Sequence, residues 1–307
     1  MVMAGVGESG TRRCGFVALI GAPNAGKSTL LNALVGAKVS IVTPKVQTTR
    51  NVLRGIAIAG ETQMVFIDTP GIFAPKRRLD RAMVSAALSS AADADIAALL
   101  IDAKKGLDDE ARAIIDRLAK VPHQKILVLN KIDLVPRERL LGLAQEANGL
   151  LAFERTFMVA AKNGDGVADV LEFFTTHLPQ GPWHYPADEI TDLPQRLMAA
   201  EITREKLYLR LHEELPYQST VETDSWKDLR DGAVRIEQSI YVERESQRKI
   251  VLGEGGRMIK AISMDARKEI ADAVERKVHL FLHVKVREDW GDDPERYRAA
   301  GLEFPKE

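Results

Sequence analysis

Short apolar runs recur along the first half of the chain, at Phe16 to Ile20, Met64 to Ile67, Ile96 to Ile101, Ile126 to Leu129 and Thr156 to Ala160, with helix-like segments between them. Continuous runs of this kind, alternating with amphipathic stretches, predict buried strands in βαβ units and so a mostly parallel sheet with helices on both faces. The last helix of that pattern, Val167 to Leu178, runs into PQGPWHYPADEITDLP. Prolines and acidic residues at that density argue against a core element and predict a linker. From Gln195 the period changes. A long amphipathic stretch to Glu214 is followed by alternation around Tyr217 to Glu222 and along Ala233 to Glu243. A run from Ile250 ends in glycine at Gly256, Met258 to Val274 reads as a helix, and Val278 to Val286 is nearly continuous strand. The order is α, β, β, α, α, β, and the expected division is an N-terminal extension at 1–14, an α/β domain at 15–180, a linker at 181–194 and an α+β domain at 195–307.

Composition narrows the class without choosing a function. The chain has 307 residues, 45% hydrophobic and 28% charged, which suits two globular domains and excludes disorder. A single cysteine, Cys14, excludes a disulfide scaffold and a cysteine-based zinc site, and the six histidines lack metal-ligand spacing. No basic start leads into an apolar core, and the most apolar later stretch, Ala82 to Ile101, is broken by Asp93 and Asp95. A cytoplasmic protein is expected. Net charge is -1 overall, and between Thr191 and Glu307 there are 21 Lys+Arg against 24 Asp+Glu. Any nucleic-acid surface must therefore be a local patch.

Candidate chemistry begins where the first apolar run ends. Gly21-Ala-Pro-Asn-Ala-Gly-Lys-Ser28 has the spacing GxxxxGK[ST] and opens a helix predicted over Thr29 to Val35. Glycines let backbone N–H groups curl around phosphates, the helix start adds partial positive charge, Lys27 reaches the outer phosphate oxygens and Ser28 ligates Mg²⁺. Gly21, Asn24, Ala25, Gly26 and Thr29 complete this cradle. Asp68-Thr-Pro-Gly71 follows the second run, so Asp68 can hold Mg²⁺ through water while the Gly71 N–H meets a γ-phosphate. Asn130-Lys131-Ile-Asp133 follows the fourth. A carboxylate at Asp133 accepts two N–H donors from guanine where adenine would present an acceptor, which selects GTP. Gln47-Thr-Thr-Arg50 lies between the first two motifs as a mobile loop carrying a threonine hydroxyl for the metal.

These residues resemble the translation-factor-type GTPases and, within them, the bacterial KH-domain GTPases of small ribosomal subunit assembly. GAPNAGKST, QTTR, DTPGI, NKID, the proline-rich linker, AAEITREKLYLRLHEELPY and SIYVERESQRKIVLGEGGRMIK carry the likeness, which spans nearly all of the chain after the first dozen residues. The resemblance implies a P-loop GTPase domain followed by a type II KH domain, hydrolysis of GTP to GDP with Mg²⁺, and binding of the 3′ end of small-subunit rRNA on the small ribosomal subunit. It favours Thr49 as the switch ligand, so that Lys27, Thr49 and Gly71 carry catalysis. It also implies a monomer; a K⁺ requirement and a weak peripheral association with the inner membrane stay open. Asn24 is either a ligand for an activating K⁺ or a cap of its own loop. Ile72 stands where related enzymes place a glutamine that orients the attacking water, so intrinsic turnover is expected to be slow. The guanine-supporting segment reads Ala160-Ala161-Lys162. Ala160 lacks a hydroxyl that would brace the loop, while the Ala161 N–H is expected to meet guanine O6.

In the second half, Gly253-Glu254-Gly255-Gly256 has the GxxG form and is placed between a strand and the helix Met258 to Val274. Such a loop clamps backbone nucleotides in KH folds. Arg244, Arg248, Lys249, Arg257 and Lys260 form the local basic set around it, each alternatively part of a solvated face. Two rival readings are a constitutive RNA-binding scaffold that senses GTP and a GTPase of the tRNA-modification branch. The latter is expected to carry a catalytic cysteine near the C-terminus, and Cys14 is the sole cysteine.

Overall fold

The computed structural model describes residues 12–304 apart from 46, 47, 74, 76, 77, 213, 214, 289, 291 and 292. Gln47 of the QTTR string and the end of the stretch predicted to reach Glu214 lie outside the described residues. The chain forms two compact units. One gathers Met1–Ser40, Asn51–Ala74 and Met83–Asp192; the other gathers Ile41–Arg50, Pro75–Ala82 and Leu193–Glu307.

The elements in the first half of the sequence are β1 (Arg13–Gly21), α1 (Lys27–Val35), β2 (Leu53–Ala59), β3 (Thr62–Asp68), α2 (Arg78–Asp93), β4 (Ile96–Asp102), α3 (Asp109–Leu118), β5 (Gln124–Asn130), α4 (Arg137–Leu150), β6 (Arg155–Val159) and α5 (Val167–His177). The six strands form one sheet in the order β2-β3-β1-β4-β5-β6, parallel except for β2 against β3. β3 and β4 are buried at every position, as strands covered on both faces must be. One core cluster joins Ala18 and Ile20 of β1, Leu99 and Ile101 of β4, and Ile114 and Ile115 of α3. β1 begins at Arg13, so Cys14 belongs to the sheet and not to an N-terminal extension. Cys14 is buried, its thiol faces Gln63 Oε1 at 3.4 Å, and burial pushes its pKa up, as befits an inert packing residue.

The segment predicted as a linker lies along this sheet over much of its length. Ile190 O accepts from the Ile56 amide (2.9 Å), Gly55 and Thr191 form an isolated bridge, and Arg54 pairs with Asp192 at 2.8 Å. Its aromatic residues pack here as well. Trp183 Nε1 donates to Glu61 O (3.1 Å), and His184 stacks on Phe16 with ring centroids 5.4 Å apart.

The second unit continues with α6 (Gln195–Arg210), β7 (Ser219–Asp228), β8 (Val234–Val242), α7 (Glu245–Leu252), α8 (Arg257–Val274), β9 (Val278–Val286) and α9 (Pro294–Ala299). β8 is central, antiparallel to β7 and parallel to β9. Ala200, Leu207 and Leu211 of α6 and its C-terminal end meet Ile240 and Val242 of β8 and Ile262 of α8, and a second cluster joins Ile202, Ile236, Ala266 and Ile270. The predicted α, β, β, α, α, β order is present, followed by α9. The GxxG loop lies between the helices α7 and α8, not between a strand and a helix; α7 is only 8 residues long and reads as strand from its apolar end Ile250-Val251-Leu252.

Candidate nucleotide site and nucleic-acid interface

The ends of the parallel strands assemble the nucleotide site. β1 stops at Gly21, and α1 opens at Lys27, two residues before its predicted start. Gly26, with φ 98°, is the residue before the helix, and a Cβ there would stand 2.1 Å from Asn130 Nδ2. Glycine is therefore required by both backbone conformation and the approach of Asn130. Lys27 is 5% exposed, and its Nζ donates to Gly21 O (3.1 Å) and Ala22 O (3.0 Å). Burial pushes the Lys27 pKa down to about 8, against the pull of the Asp68 carboxylate. A cation so desolvated, curled into a loop of backbone groups, is matched to an anion of high charge.

Ser28 Oγ donates to Asp68 Oδ2 at 2.7 Å, and Ser40 Oγ donates to the same oxygen at 2.8 Å. Asp68 ends β3 and is fully buried. Hard oxygen donors held together beside a phosphate cradle fit Mg²⁺. Thr69 Oγ1 donates to Leu19 O (2.7 Å), the Ile72 amide donates to Gly21 O (3.1 Å), and a Cβ on Gly71 would stand 2.8 Å from Pro23 N. Ile72 itself is 2% exposed and belongs to the core cluster with Ala18 and Ile20. It is a packing residue, and glutamine there would bury an amide in that core. Ser28→Ala is expected to keep most triphosphate affinity while abolishing its dependence on Mg²⁺, because a metal ligand is lost and the backbone cradle stays. Nucleotide titrations with Mg²⁺ and with chelator check this, and an unchanged Mg²⁺ dependence would contradict it.

Asn130 joins the loops. Its Nδ2 donates to Ala25 O (2.9 Å), and its Oδ1 accepts from the amides of Lys131 (2.8 Å) and Ala161 (3.1 Å). The Ala161 amide, the donor read from the sequence for guanine O6, thus donates to Asn130 Oδ1, which ties the 160–162 segment to the end of β5. Lys131, at φ 66°, donates from Nζ to Asn24 O (2.7 Å) and Asp102 Oδ2 (2.6 Å). Asp102 was not singled out from sequence, although it ends β4 as Asp68 ends β3. Asn24 has φ 63°, a left-handed conformation that asparagine tolerates better than most residues. Ala160 is buried, and Asp133 and Lys162 are exposed, which leaves the Asp133 carboxylate accessible to a base. Asp133→Asn is expected to lower the preference for GTP over XTP by at least about 100-fold, because an acceptor of two N–H donors becomes a partial donor. Competition binding measures it; full retention of the preference would contradict the role of Asp133. Thr49 lies in the Ile41–Arg50 segment, which belongs to the second unit.

In the second unit, the GxxG glycines differ in what they permit. A Cβ on Gly253 would meet Met258 Cβ at 2.7 Å, whereas one on Gly255 would have no heavy atom within 4 Å. Gly253 is thus demanded by packing and Gly255 presents open backbone. Arg244, Lys249, Glu254, Gly255, Arg257 and Lys260 are exposed, while Arg248, Gly253 and Gly256 are half-buried. Arg257 pairs with Glu254, and Arg248 pairs with Glu245 at 2.9 Å while donating from Nε to Val284 O (3.2 Å). Two of the basic residues are therefore partly neutralised, and Arg248 also fastens α7 to β9.

Fold and site together define a P-loop GTP-binding enzyme carrying a KH domain. Residues 16–131 match the family described as 50S ribosome-binding GTPase, and residues 214–291 match the KH domain family. GTPase Era of Bradyrhizobium sp. (strain ORS 278) is 65% identical over 97% of each chain, and GTPase Era of Afipia carboxidovorans is 66% identical over 96% of each. A crystal structure of Era in complex with MgGDPNP and nucleotides 1506-1542 of 16S ribosomal RNA is similar with a TM-score of 0.90, at 37% identity over 94% of this chain and 99% of that one. Aquifex aeolicus Era bound to GDP.AlF4- is similar with a TM-score of 0.89, also at 37% identity and the same coverage. The chain belongs to the Era family of GTPases.

Proposed function

We propose that this GTPase acts in small ribosomal subunit assembly, binding the 3′ end of small-subunit rRNA through its KH half. The observation that carries the RNA reading is the loop at 253–256, where Gly255 offers open backbone at the start of the 18-residue helix α8. Backbone N–H groups and a helix start suit phosphates, and the exposed Lys249 and Lys260 add local charge. The exposed apolar side chain of Ile250 on α7 is suited to a splayed base. The solved structure of Era with a 16S rRNA fragment supports the choice of partner.

In the nucleotide site Lys27 and the backbone of 21–28 bind the triphosphate, and Asp133 selects guanine. Ser28, Asp68 and Thr49 would hold Mg²⁺, which supplies charge neutralisation on the β- and γ-phosphate oxygens. The Gly71 amide donates to the γ-phosphate. With Ile72 buried in the core, no side chain at that position orients water, so basal turnover is slow. If Asn24 ligates a cation, hydrolysis is expected to run several-fold faster in K⁺ than in Na⁺; equal rates at matched ionic strength would leave Asn24 as the cap of its left-handed turn. Among the described residues no helix is long and apolar enough to cross a membrane. Cross-linking the protein to cellular RNA and sequencing the attached fragments tests the proposed partner. Reads are expected to concentrate at the 3′ end of small-subunit rRNA, and an even spread over cellular RNA would overturn the assignment.

A further inference from the structure

Ser40 lies in irregular chain just past the end of α1 and is 5% exposed. Its Oγ donates to Asp68 Oδ2 at 2.8 Å, the same oxygen that Ser28 Oγ reaches at 2.7 Å. Asn32 holds Ser40 there. The Asn32 Oδ1 accepts from the amides of Val39 and Ser40, both at 2.9 Å, and its Nδ2 donates to Ser40 O at 2.8 Å. One side-chain amide thus takes both polar groups of the Ser40 backbone and one of its neighbour's, as a pairing strand would. Gly36, at φ 75° and donating its amide to Asn32 O at 2.9 Å, closes α1 and lets the chain return to that side chain.

Helix geometry brings these groups together. Ser28 and Asn32 stand at i and i+4 on α1, one above the other on a single face, so that Ser28 reaches Asp68 directly and Asn32 reaches it through Ser40. A carboxylate held by one donor can still turn about its Cβ–Cγ bond, whereas donors from two segments of chain fix its plane and the direction of its lone pairs. Asp68 is fully buried, so its orientation is set by protein donors and not by bulk water. The two serines differ in what else they do. Ser28 Oγ also serves as a ligand for the ion, while Ser40 Oγ is committed to Asp68.

We propose that Ser40 is a positioning residue for the metal site, held by Asn32 so that its hydroxyl aims the Asp68 carboxylate at the hydrated Mg²⁺ and thereby raises Mg²⁺ affinity. This rests on Ser28 and Asp68 holding the ion. Groups that orient a carboxylate at a metal bear on affinity nearly as strongly as the ligands themselves. Neither residue announces this in the sequence, since Ser40 belongs to no spacing motif and Asn32 is a single polar position in the run LLNALV of α1.

The test is the Mg²⁺ concentration that gives half of the metal-dependent gain in GDP affinity, read with a fluorescent GDP on the full chain, together with GDP affinity in chelator. Ser40→Ala should raise that concentration by about tenfold or more while affinity in chelator stays within about twofold of the parent, because the cradle and the Asn32 clamp on residues 39 and 40 remain. Asn32→Ala should raise it as well. Adding Asn32→Ala to Ser40→Ala should shift it little further, since Asn32 acts through the Ser40 hydroxyl, and additive shifts overturn the part given to Asn32. Thermal melts confirm folding, and Ser40→Ala, which deletes one hydroxyl, carries the test should Asn32→Ala melt early. An unmoved midpoint in Ser40→Ala, beside a Ser28→Ala variant that has lost its Mg²⁺ dependence, overturns the role of Ser40 alone. A loss of GDP affinity in Ser40→Ala that is equal with Mg²⁺ and with chelator makes Ser40 a tie for its loop and overturns the role too. A parent whose GDP affinity ignores Mg²⁺, or a Ser28→Ala variant with parental dependence, overturns the metal reading itself, and the inference with it.

Discussion

Lys27→Ala is expected to weaken GTP binding by about 100-fold or more, equivalent to about 3 kcal/mol. The ammonium does two things in the structure. It is the buried cation nearest the cradle, pushed down to a pKa of about 8 by desolvation, and it also ties Gly21 O and Ala22 O together. Its removal takes away a charge-assisted contact to phosphate and loosens the loop that aligns the backbone N–H groups. Fluorescent-nucleotide titration, with a thermal melt to confirm folding, measures the loss. The deficit should be similar for GTP and XTP, because Lys27 acts on phosphate. Unaltered hydrolysis in the variant would contradict the assignment of the cradle.

Gly255→Asp is expected to abolish specific RNA binding while leaving basal GTP hydrolysis at the parental rate. A Cβ at this position meets no protein atom within 4 Å, so the substitution fills only space left open for a ligand. The backbone is at φ 59°, a conformation that aspartate adopts more readily than most residues, so the fold should survive. The new carboxylate joins Glu254 beside the path of a phosphate. A loss of about 100-fold or more is expected, the combined result of excluded approach and like-charge repulsion. RNA titration and hydrolysis on one preparation, with circular dichroism, check both halves of the claim. The same substitution at Gly253 would be uninformative, since a Cβ there strikes Met258.

Much of this site was legible because its residues terminate continuous apolar runs. Asp68 and Asn130 follow β-forming stretches with no ambiguity of period, so their placement at strand ends needed only local pattern. Asp102 ends β4 in the same way but carries no spacing motif, and its partnership with Lys131 becomes visible only when β4 and β5 pair Asp102 with Asn130. β2 escaped because Leu53–Ala59 is interrupted by Gly55, whose hydrogen faces Leu31 and Val35 so closely that a Cβ would stand 2.7 Å from Leu31 Cδ1. That glycine is a close approach of helix to sheet and not a turn. The bond from the Ala161 amide to Asn130 Oδ1 was not legible because the two residues stand 31 positions apart. The buried Arg50 guanidinium, which donates to the carbonyl oxygens of Pro216, Tyr217 and Ser219, lies beyond local reasoning altogether, since those partners stand 166 to 169 positions along the chain.

The central claim is a GTP-hydrolysing enzyme that recognises the 3′ end of small-subunit rRNA. Its most direct test is the affinity of the full chain, with Mg²⁺ and a nonhydrolysable GTP analogue, for that RNA and for a shuffled strand of equal length and composition at one fixed salt concentration. Net charge of the second half is negative, so nonspecific attraction contributes little and discrimination should be large. The account predicts binding of the 3′-end strand at least about 100-fold tighter than the shuffled strand; equal affinity for the two would contradict it.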